Sequence, residues 1–310
     1  MQRKFDPILV EVVKNELASI TEEMAMAVWK TGRSAMVKTG DFATAICDGQ
    51  GRVIGQGYAA PFQLAFFIAV MFHVLKKYAG TFKPGDVIVV NDPYTGITHM
   101  PDVMIIAPTF WQDQLVAFTL AYSHHTDIGG RFPGGFSSQC TETFEEGLRL
   151  PLLKLYDGGE RNEALLETIL ANVRVPEEWL GDMDAKIAGC WRGAQEIKEL
   201  LEKYGLETLN SSCDYLIDYA ERATRAAIRA IPAGEYVYED VFEDDGFGSD
   251  GVSLPLKVVL RTQVEMLSVD FTGTGPQARG AINLPLSMTE ASVYGAIKSI
   301  VSPEALTNVG

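Results

Sequence analysis

Apolar residues near the start of the chain recur at every third or fourth position. Asp6 can cap a helix and Pro7 fits a first turn, and the spacing continues from there to Met24. This pattern predicts an amphipathic helix of about 25 residues that ends near Trp29. Residues 64–78 are apolar on most faces, which predicts a second, buried helix.

Extended patterns follow the first helix and the second. A Gly-containing turn at residues 48–51 lies between two short runs, 43–47 and 52–56, and predicts a β-hairpin. Three further strands are predicted at residues 86–90, 103–110 and 115–122. The last two are separated by only a short polar turn, so we expect them to pair antiparallel.

The rest of the chain is first helical and then extended. Helices are predicted at residues 160–172, 176–204, 206–231 and 287–300, and strands at 235–243, 254–261 and 264–271. This order favours an α+β fold with mixed or antiparallel sheets and a helical block in the middle. We divide the chain into an N-terminal α+β region (1–173), a helical insertion or bridge (174–231) and a β-rich region (232–310).

Composition excludes several classes of protein. With 47% hydrophobic and 22% charged residues, the 310-residue chain has the make-up of a folded globular protein. A net charge of −15 argues against a nucleic-acid surface. The longest apolar stretch is too short and too polar to cross a membrane. Four widely spaced cysteines without a CxxC pair predict reduced thiols in a cytoplasmic protein.

Histidine is scarce, and its placement is the strongest chemical signal in the sequence. Three of the four histidines, at positions 99, 124 and 125, lie in two polar turns that also contain Asp102 and Asp127. If strands 103–110 and 115–122 pair antiparallel, Asp102 and His124 become neighbours at one end of the sheet. His73 lies in an apolar helix and is predicted to be a core or interface histidine.

Two imidazoles with carboxylates form a ligand set for zinc, manganese or iron. The alternative is a hydrogen-bonded rim that only terminates the strands. From spacing alone, Asp41 is most simply a residue of a turn or strand start. Glu142, Glu145 and Glu146 either form a solvated face or need a cation or basic side chain to offset their repulsion. The Gly-rich run 270–277 lacks the lysine of a nucleotide-binding P-loop, so the chain is predicted to have no ATP site of its own.

Several segments together resemble the hydantoinase B family. This family includes N-methylhydantoinase beta subunits, 5-oxoprolinase, caprolactamase, and subunits of acetone and acetophenone carboxylases. The resemblance extends in order along essentially the whole chain. It is carried by Asn91-Asp92-Pro93-Tyr94 with His99 and Asp102, by His124-His125-x-Asp127 with Gly129 and Gly130, by Glu146-Gly147-Leu148-Arg149, and by Asp270-Phe271-Thr272-Gly273-Thr274 with Arg279 and Gly280.

The resemblance implies a division of labour between two subunits. A hydantoinase A-like partner with an actin-like ATPase fold phosphorylates an enolised amide, imide or ketone oxygen. The hydantoinase B protein holds one divalent metal, zinc or manganese with iron as a further option, and acts on the activated species. The resemblance implies a heteromeric enzyme that hydrolyses cyclic amides such as hydantoins, lactams or oxoproline. The alternatives are the equivalent subunit of an ATP-dependent ketone carboxylase and a catalytically silent assembly subunit.

By motif position, the resemblance implies that Asp41, His99, Asp102 and His124 are the metal ligands. His125 and Asp127 are implied as supporting or proton-transfer residues, and Glu146 as a residue that orients water or substrate.

Two positions depart from the family pattern. Gln63 stands where the family hydrolases commonly have a histidine, and Ser123 precedes the double histidine in place of arginine or alanine. Both changes fall on the implied substrate side and leave room for the carboxylase alternative. The chain is also shorter than its family, whose members usually continue beyond a segment that Asn308-Val309-Gly310 resembles. It is therefore expected to be truncated relative to them.

Overall fold

Two antiparallel sheets and seven α-helices make up the residues that the computed structural model describes, namely 6–57, 64–248, 252–301 and 308–309. The helices are α1 (Pro7–Thr31), α2 (Ala35–Thr39), α3 (Leu64–Tyr78), α4 (Glu163–Asn172), α5 (Pro176–Tyr204), α6 (Leu206–Arg229) and α7 (Leu286–Val301). The strands are β1 (Phe42–Asp48), β2 (Val53–Gln56), β3 (Val87–Val90), β4 (Asp102–Trp111), β5 (Gln114–His124), β6 (Leu153–Asp157), β7 (Glu160–Arg161), β8 (Gly234–Phe242), β9 (Leu254–Gln263) and β10 (Met266–Asp270). The predicted α+β class is confirmed.

Local signals explain where α1 begins. The Asp6 carboxylate accepts hydrogen bonds from the backbone N–H groups of Ile8, at 3.0 Å, and Leu9, at 3.4 Å, and Pro7 occupies the first turn. The apolar stripe then faces the core, where Val13, Met24 and Val28 are fully buried. The predicted helix is confirmed, with its last turn ending at Thr31.

The larger sheet has seven strands in the order β2-β1-β5-β4-β3-β6-β7, and every neighbouring pair is antiparallel. Helices cover both of its faces, so β4 is buried over most of its length. Val103 and Ile105 pack towards α5, whereas Met104 and Ile106 pack towards α3. This explains why the strand is apolar almost throughout rather than alternating with polar residues.

The helical block is part of the same core as the N-terminal region. Trp179 and Met183 of α5 lie in one buried cluster with Val103 of β4 and Val28 of α1. The boundary predicted between residues 173 and 174 therefore crosses continuous packing.

Short elements escaped the periodicity analysis. The predicted helix over 160–172 is wrong in its first residues, because Glu160 and Arg161 form β7, which pairs with β6. Helix α4 begins only after Asn162, whose side chain caps it. The five-residue helix α2 and strand β6 were not predicted, because five residues are too few to show a period.

The second sheet has three strands in the order β10-β9-β8. All nine residues of β8 are exposed. In the described part of the chain, no helix combines the length and apolar character needed to cross a membrane. All four cysteines are buried and unpaired.

Candidate metal centre

Three strand ends meet at one edge of the larger sheet. Asp102 opens β4 and is the direct cross-strand partner of His124, which closes β5. On the other side of β5, the His124 backbone N–H donates to the carbonyl oxygen of Asp41, the residue before β1, at 3.1 Å. The predicted antiparallel pairing of Asp102 with His124 is confirmed, and it places both next to Asp41.

The side chains of His99, Asp102 and His124 form a tight cluster. Their potential ligand atoms all lie within 4.8 Å of one another. Asp102 Oδ2 is 3.3 Å from His99 Nε2, and Asp102 Oδ1 is 3.4 Å from His124 Nδ1. The two imidazole rings are 4.9 Å apart between centroids. Among the described residues, this is the one group of three or more histidine, cysteine or acidic side chains close enough to share an ion.

Asp102 is held in its ionised form. Burial alone would raise the pKa of its carboxyl group, but hydrogen bonds from His124, His99 and Thr98 outweigh burial and hold the pKa well below its usual value. The same carboxylate raises the pKa of His99 above its ordinary value, against the opposing effect of burial. The cluster therefore carries a buried negative charge that favours a cation.

The geometry of the cluster fits a divalent metal. Four ligands held about 2.0–2.1 Å from a zinc ion in a tetrahedral arrangement lie about 3.3–3.4 Å from each other. The His99–Asp102 and His124–Asp102 separations match this spacing. Nδ1 of His99 is also buried and has no hydrogen-bond partner among the described residues. An imidazole nitrogen without a partner is a donor available to an ion.

Asp41 lies beside the cluster but outside its tightest part. Burial and the nearby charge of Asp102 raise the pKa of the Asp41 carboxyl group, while His124 and His99 partly oppose this. The Tyr122 hydroxyl hydrogen-bonds to the same carboxyl group. Two carboxylates this close repel each other unless a cation lies between them. The position of Asp41 is thus compatible with a fourth ligand.

Glu146 and Phe136 flank His99 on the outer side. Burial raises the pKa of the Glu146 carboxyl group, and the neighbouring His99 opposes that rise. Phe136 meets the His99 ring edge-on, with centroids 5.6 Å apart, and is 75% exposed. A half-buried carboxyl group and an exposed aromatic ring therefore border the cluster where a small molecule could approach.

His125 lies on the opposite side of the sheet from His124. Its ring is 1% exposed and stacks against Trp179 at 5.0 Å, and its Nε2 is 2.7 Å from Nζ of Lys186. Burial, with the nearby Lys186, lowers the pKa of His125 well below its ordinary value. Burial also lowers the pKa of Lys186 to about 7. His125 therefore does not share one face with His124, because successive strand residues face opposite sides.

Asp127 organises the glycine-rich loop rather than joining the cluster. Its carboxylate accepts hydrogen bonds from the backbone N–H groups of Gly129, Gly134 and Arg174 and from the Arg174 guanidinium. Burial alone would raise the pKa of Asp127, but these donors lower it. Both carboxylate oxygens are engaged by the loop and by Arg174, which favours a positioning role over proton transfer.

The turn that carries His99 is fastened by Asn91. The Asn91 side chain donates to the carbonyl oxygens of Met100, at 2.7 Å, and Leu148, at 2.9 Å, and accepts from the backbone N–H of Leu150. These bonds tie the turn to the segment that follows Glu146. The Asn91-Asp92 motif thus has a structural role that its sequence context as a strand end only partly indicated.

Sequence reasoning missed Lys186 and Tyr122. Lys186 occupies a position in α5 where the spacing of Trp179, Met183 and Cys190 calls for an apolar residue, and a lysine there was a detectable signal. Tyr122 hydrogen-bonds to Asp41 from two positions before His124, on the same face of β5 as strand alternation requires. Gln63, singled out as a departure from the family pattern, lies outside the described residues.

Comparison with known proteins assigns the chain to a family. The family model for hydantoinase B/oxoprolinase matches residues 6–310. The chain belongs to the hydantoinase B/oxoprolinase family. A protein named as a putative D-/L-hydantoinase subunit, from Pseudomonas sp. (strain NS671), is 34% identical over 310 residues, which cover 96% of this chain and 52% of that relative. The family suggested by the sequence motifs is confirmed.

Two solved structures share the fold of this hydantoinase B family member. The ATP-dependent caprolactamase from Pseudomonas jessenii superposes with a TM-score of 0.89 at 29% identity, over 96% of this chain and 51% of that one. A nucleotide-free acetone carboxylase superposes with a TM-score of 0.88 at 17% identity, over 99% and 42%. The latter likeness shows a common fold. The chain spans about half the length of these proteins.

Proposed function

We propose that this chain is the metal-binding catalytic subunit of an ATP-dependent cyclic-amide hydrolase. The observation that supports this most directly is the cluster of His99, Asp102 and His124, with its ligand atoms within 4.8 Å, in a hydantoinase B fold. One relative is named as a D-/L-hydantoinase subunit, and a structural neighbour is described as an ATP-dependent caprolactamase. Both names describe enzymes that open cyclic amides.

His99, Asp102 and His124 would hold the ion, with Asp41 as the fourth ligand. When bound, zinc, manganese or iron supplies Lewis-acid chemistry that polarises a carbonyl group and lowers the pKa of water. Glu146, whose pKa burial raises, is placed beside His99 to accept and return a proton at its carboxyl oxygen. The exposed Phe136 ring offers an apolar wall for the ring of the substrate.

The need for ATP follows from the stability of amides. An unstrained amide carbonyl is a poor electrophile, and phosphorylation of its oxygen creates a good leaving group. The sequence of this chain contains no P-loop, so the phosphoryl transfer is assigned to a partner. We propose that the partner is a hydantoinase A-like subunit with an actin-like ATPase fold. The names of the relatives, which describe subunits, support a heteromeric assembly.

The proposal is tested first by the metal content of the purified chain. Elemental mass spectrometry is expected to find about one zinc, manganese or iron per chain in the wild type and none in a His99→Ala, Asp102→Ala double variant that retains its helical circular dichroism. The complex with its ATPase partner is then expected to hydrolyse a hydantoin, lactam or oxoproline with ATP consumption and without bicarbonate. A folded wild type that binds none of the three metals after reconstitution would reject the metal mechanism and favour a silent assembly role.

A ketone carboxylase subunit is the second candidate. The departures at Gln63 and Ser123 favour it, since both fall on the substrate side implied by the family pattern. In that reaction the activated enol attacks a carbon dioxide equivalent instead of being attacked by water. Strict dependence of ATP turnover on bicarbonate and a ketone, with no turnover of cyclic amides, would select this alternative.

A further inference from the structure

Helix α5 carries buried polar side chains directly behind the metal cluster. Lys186 is fully buried and Asp182 is 1% exposed, and the two lie one helical turn apart. Charged side chains are almost never buried at such positions unless they are paired, because removing them from water costs several kcal/mol. Neither residue belongs to the cluster of candidate ligands, so their contacts need a separate explanation.

Lys186 links the two strand ends that present the ligands. Its Nζ donates a hydrogen bond of 2.8 Å to the carbonyl oxygen of Val103, the residue after Asp102. The same Nζ lies 2.7 Å from Nε2 of His125, the residue after His124. One amino group therefore binds both strand ends, each at one residue from a candidate ligand.

Asp182 fixes the third ligand-bearing segment. Its Oδ1 accepts hydrogen bonds from the backbone N–H groups of Arg33, at 2.6 Å, and Ser34, at 3.0 Å. Ser34 in turn caps α2 through its hydroxyl group, and α2 leads within two residues to Asp41. The orientation of the segment before β1 is thus set by the same turn of α5.

We infer that Lys186, with Asp182 and the acceptor His125, positions the ligand-bearing ends of β4, β5 and the segment before β1 for metal binding. Lys186 is a positioning residue, since it acts through Val103 and His125 rather than on the ion. The hydrogen bonds fix the spacing between Asp102 and His124 from the rear, on the face of the sheet that the cluster does not use. The inference rests on the metal-binding function proposed above.

The test uses Co2+ as the probe, because its visible absorption reports the arrangement of the ligands. In Lys186→Met the unbranched apolar stem is largely kept and the amino group is lost. In His125→Phe the ring stacked on Trp179 is kept and the acceptor nitrogen is lost. Both variants are expected to bind Co2+ about tenfold or more weakly, as when a supporting hydrogen bond of a metal site is removed. Both are also expected to shift the Co2+ absorption bands.

Cys190→Ala is the matched control. Cys190 is one turn beyond Lys186 on the same buried face of α5 and is 0% exposed. Its thiol hydrogen-bonds to Thr119, in the middle of β5 and away from the strand end that carries His124. Thermal unfolding of metal-free protein measures the cost of each change to the fold. Cys190→Ala is expected to lower the melting temperature while leaving Co2+ affinity and absorption unchanged.

The outcomes separate this inference from the proposed function. A folded wild type that binds no Co2+ would remove the metal function itself and, with it, this inference. Wild-type Co2+ affinity and absorption in both Lys186→Met and His125→Phe would overturn the positioning role alone. The role would also be overturned if Cys190→Ala weakened binding equally, or if both variants failed to fold while Cys190→Ala folded. In that last case the pair serves the stability of the core.

Discussion

Asp102 and His124 are direct partners across the β4–β5 ladder, and their side chains meet with Oδ1 3.4 Å from Nδ1. Backbone pairing of adjacent strands therefore brings together two potential ligands that are far apart in the sequence. His99 completes the cluster from the turn just before β4. Because the ladder is part of the core, its ligand atoms are held in place before any ion binds, which favours affinity.

His124→Ala is expected to weaken zinc or manganese binding by more than about 100-fold, because removing a ligand costs more than the roughly 10–100-fold of a supporting residue. Competition with a chromophoric chelator measures the affinity. His73→Ala is the control, since His73 is a half-buried histidine on α3 outside the cluster. Equal affinities in the wild type and His124→Ala would show that the cluster is only a hydrogen-bonded rim.

Asp41→Asn tests whether the neighbouring carboxylate joins the cluster. The change keeps the shape of the side chain but removes its charge, and we expect a loss of metal affinity of about 100-fold. Tyr122→Phe removes only the hydroxyl group that hydrogen-bonds to Asp41 and should cost about tenfold or less. Isothermal titration with Mn2+ gives both values. An Asp41→Asn variant with unchanged affinity would leave three protein ligands and solvent.

Asp127 is expected to make folding sensitive to acid. Its pKa is lower in the folded state than the unfolded value of about 3.9. Its contribution is therefore fully present above that value and is lost as the pH falls through the folded pKa. Asp127→Asn should lower the free energy of unfolding by about 1.5–3 kcal/mol at pH 7.

The difference between wild type and Asp127→Asn is expected to shrink below about pH 4 as the wild-type carboxylate takes up a proton. Urea unfolding at several pH values measures it. Glu142→Gln, at an exposed carboxylate that follows the same glycine-rich loop, controls for the general loss of a negative charge. A difference that stays constant down to about pH 3 would contradict the lowered pKa.

Gly96→Ala is expected to destabilise the turn that leads to His99. Gly96 has a φ of +109°, and a Cβ there would lie 2.7 Å from the backbone nitrogen of Val70 in α3. Backbone strain and the clash with a helix backbone together should cost about 3 kcal/mol or more. Gly80→Ala is the control for strain alone, since Gly80 has a φ of +75° and open space around it, and should cost about 1–2 kcal/mol. Chemical denaturation compares the two, and equal losses would exclude the clash.

The sequence indicated most regular elements because their signals are local. Helices α1, α3 and α5 each extend over at least four turns, and their bounds agree closely with the prediction. Helix α2 and strand β6 are each five residues long and show no period. The pairing of β4 with β5 was also predictable, since a short turn leaves adjacent strands little choice but to pair antiparallel.

The cluster was partly predictable for the same reason. His99, Asp102 and His124 stand at or beside the ends of two adjacent strands, so spacing and pairing were enough to bring them together. Asp41 needed the additional pairing of β1 with β5, which no local signal specifies. The likeness of several motifs to a family suggested it instead.

Sequence by itself thus determined the α+β class, the family and the nucleus of the candidate metal site, because each depends on local periods, turns or ordered motifs. Only the tertiary structure decided that His125 turns away from His124 and meets Lys186, 61 positions later, and that Asp182 holds the segment before β1 from 149 positions away. Contacts at such separations are set by how α5 packs across the sheet. That packing is chosen by the shape and burial of whole faces, which no short stretch of the sequence encodes.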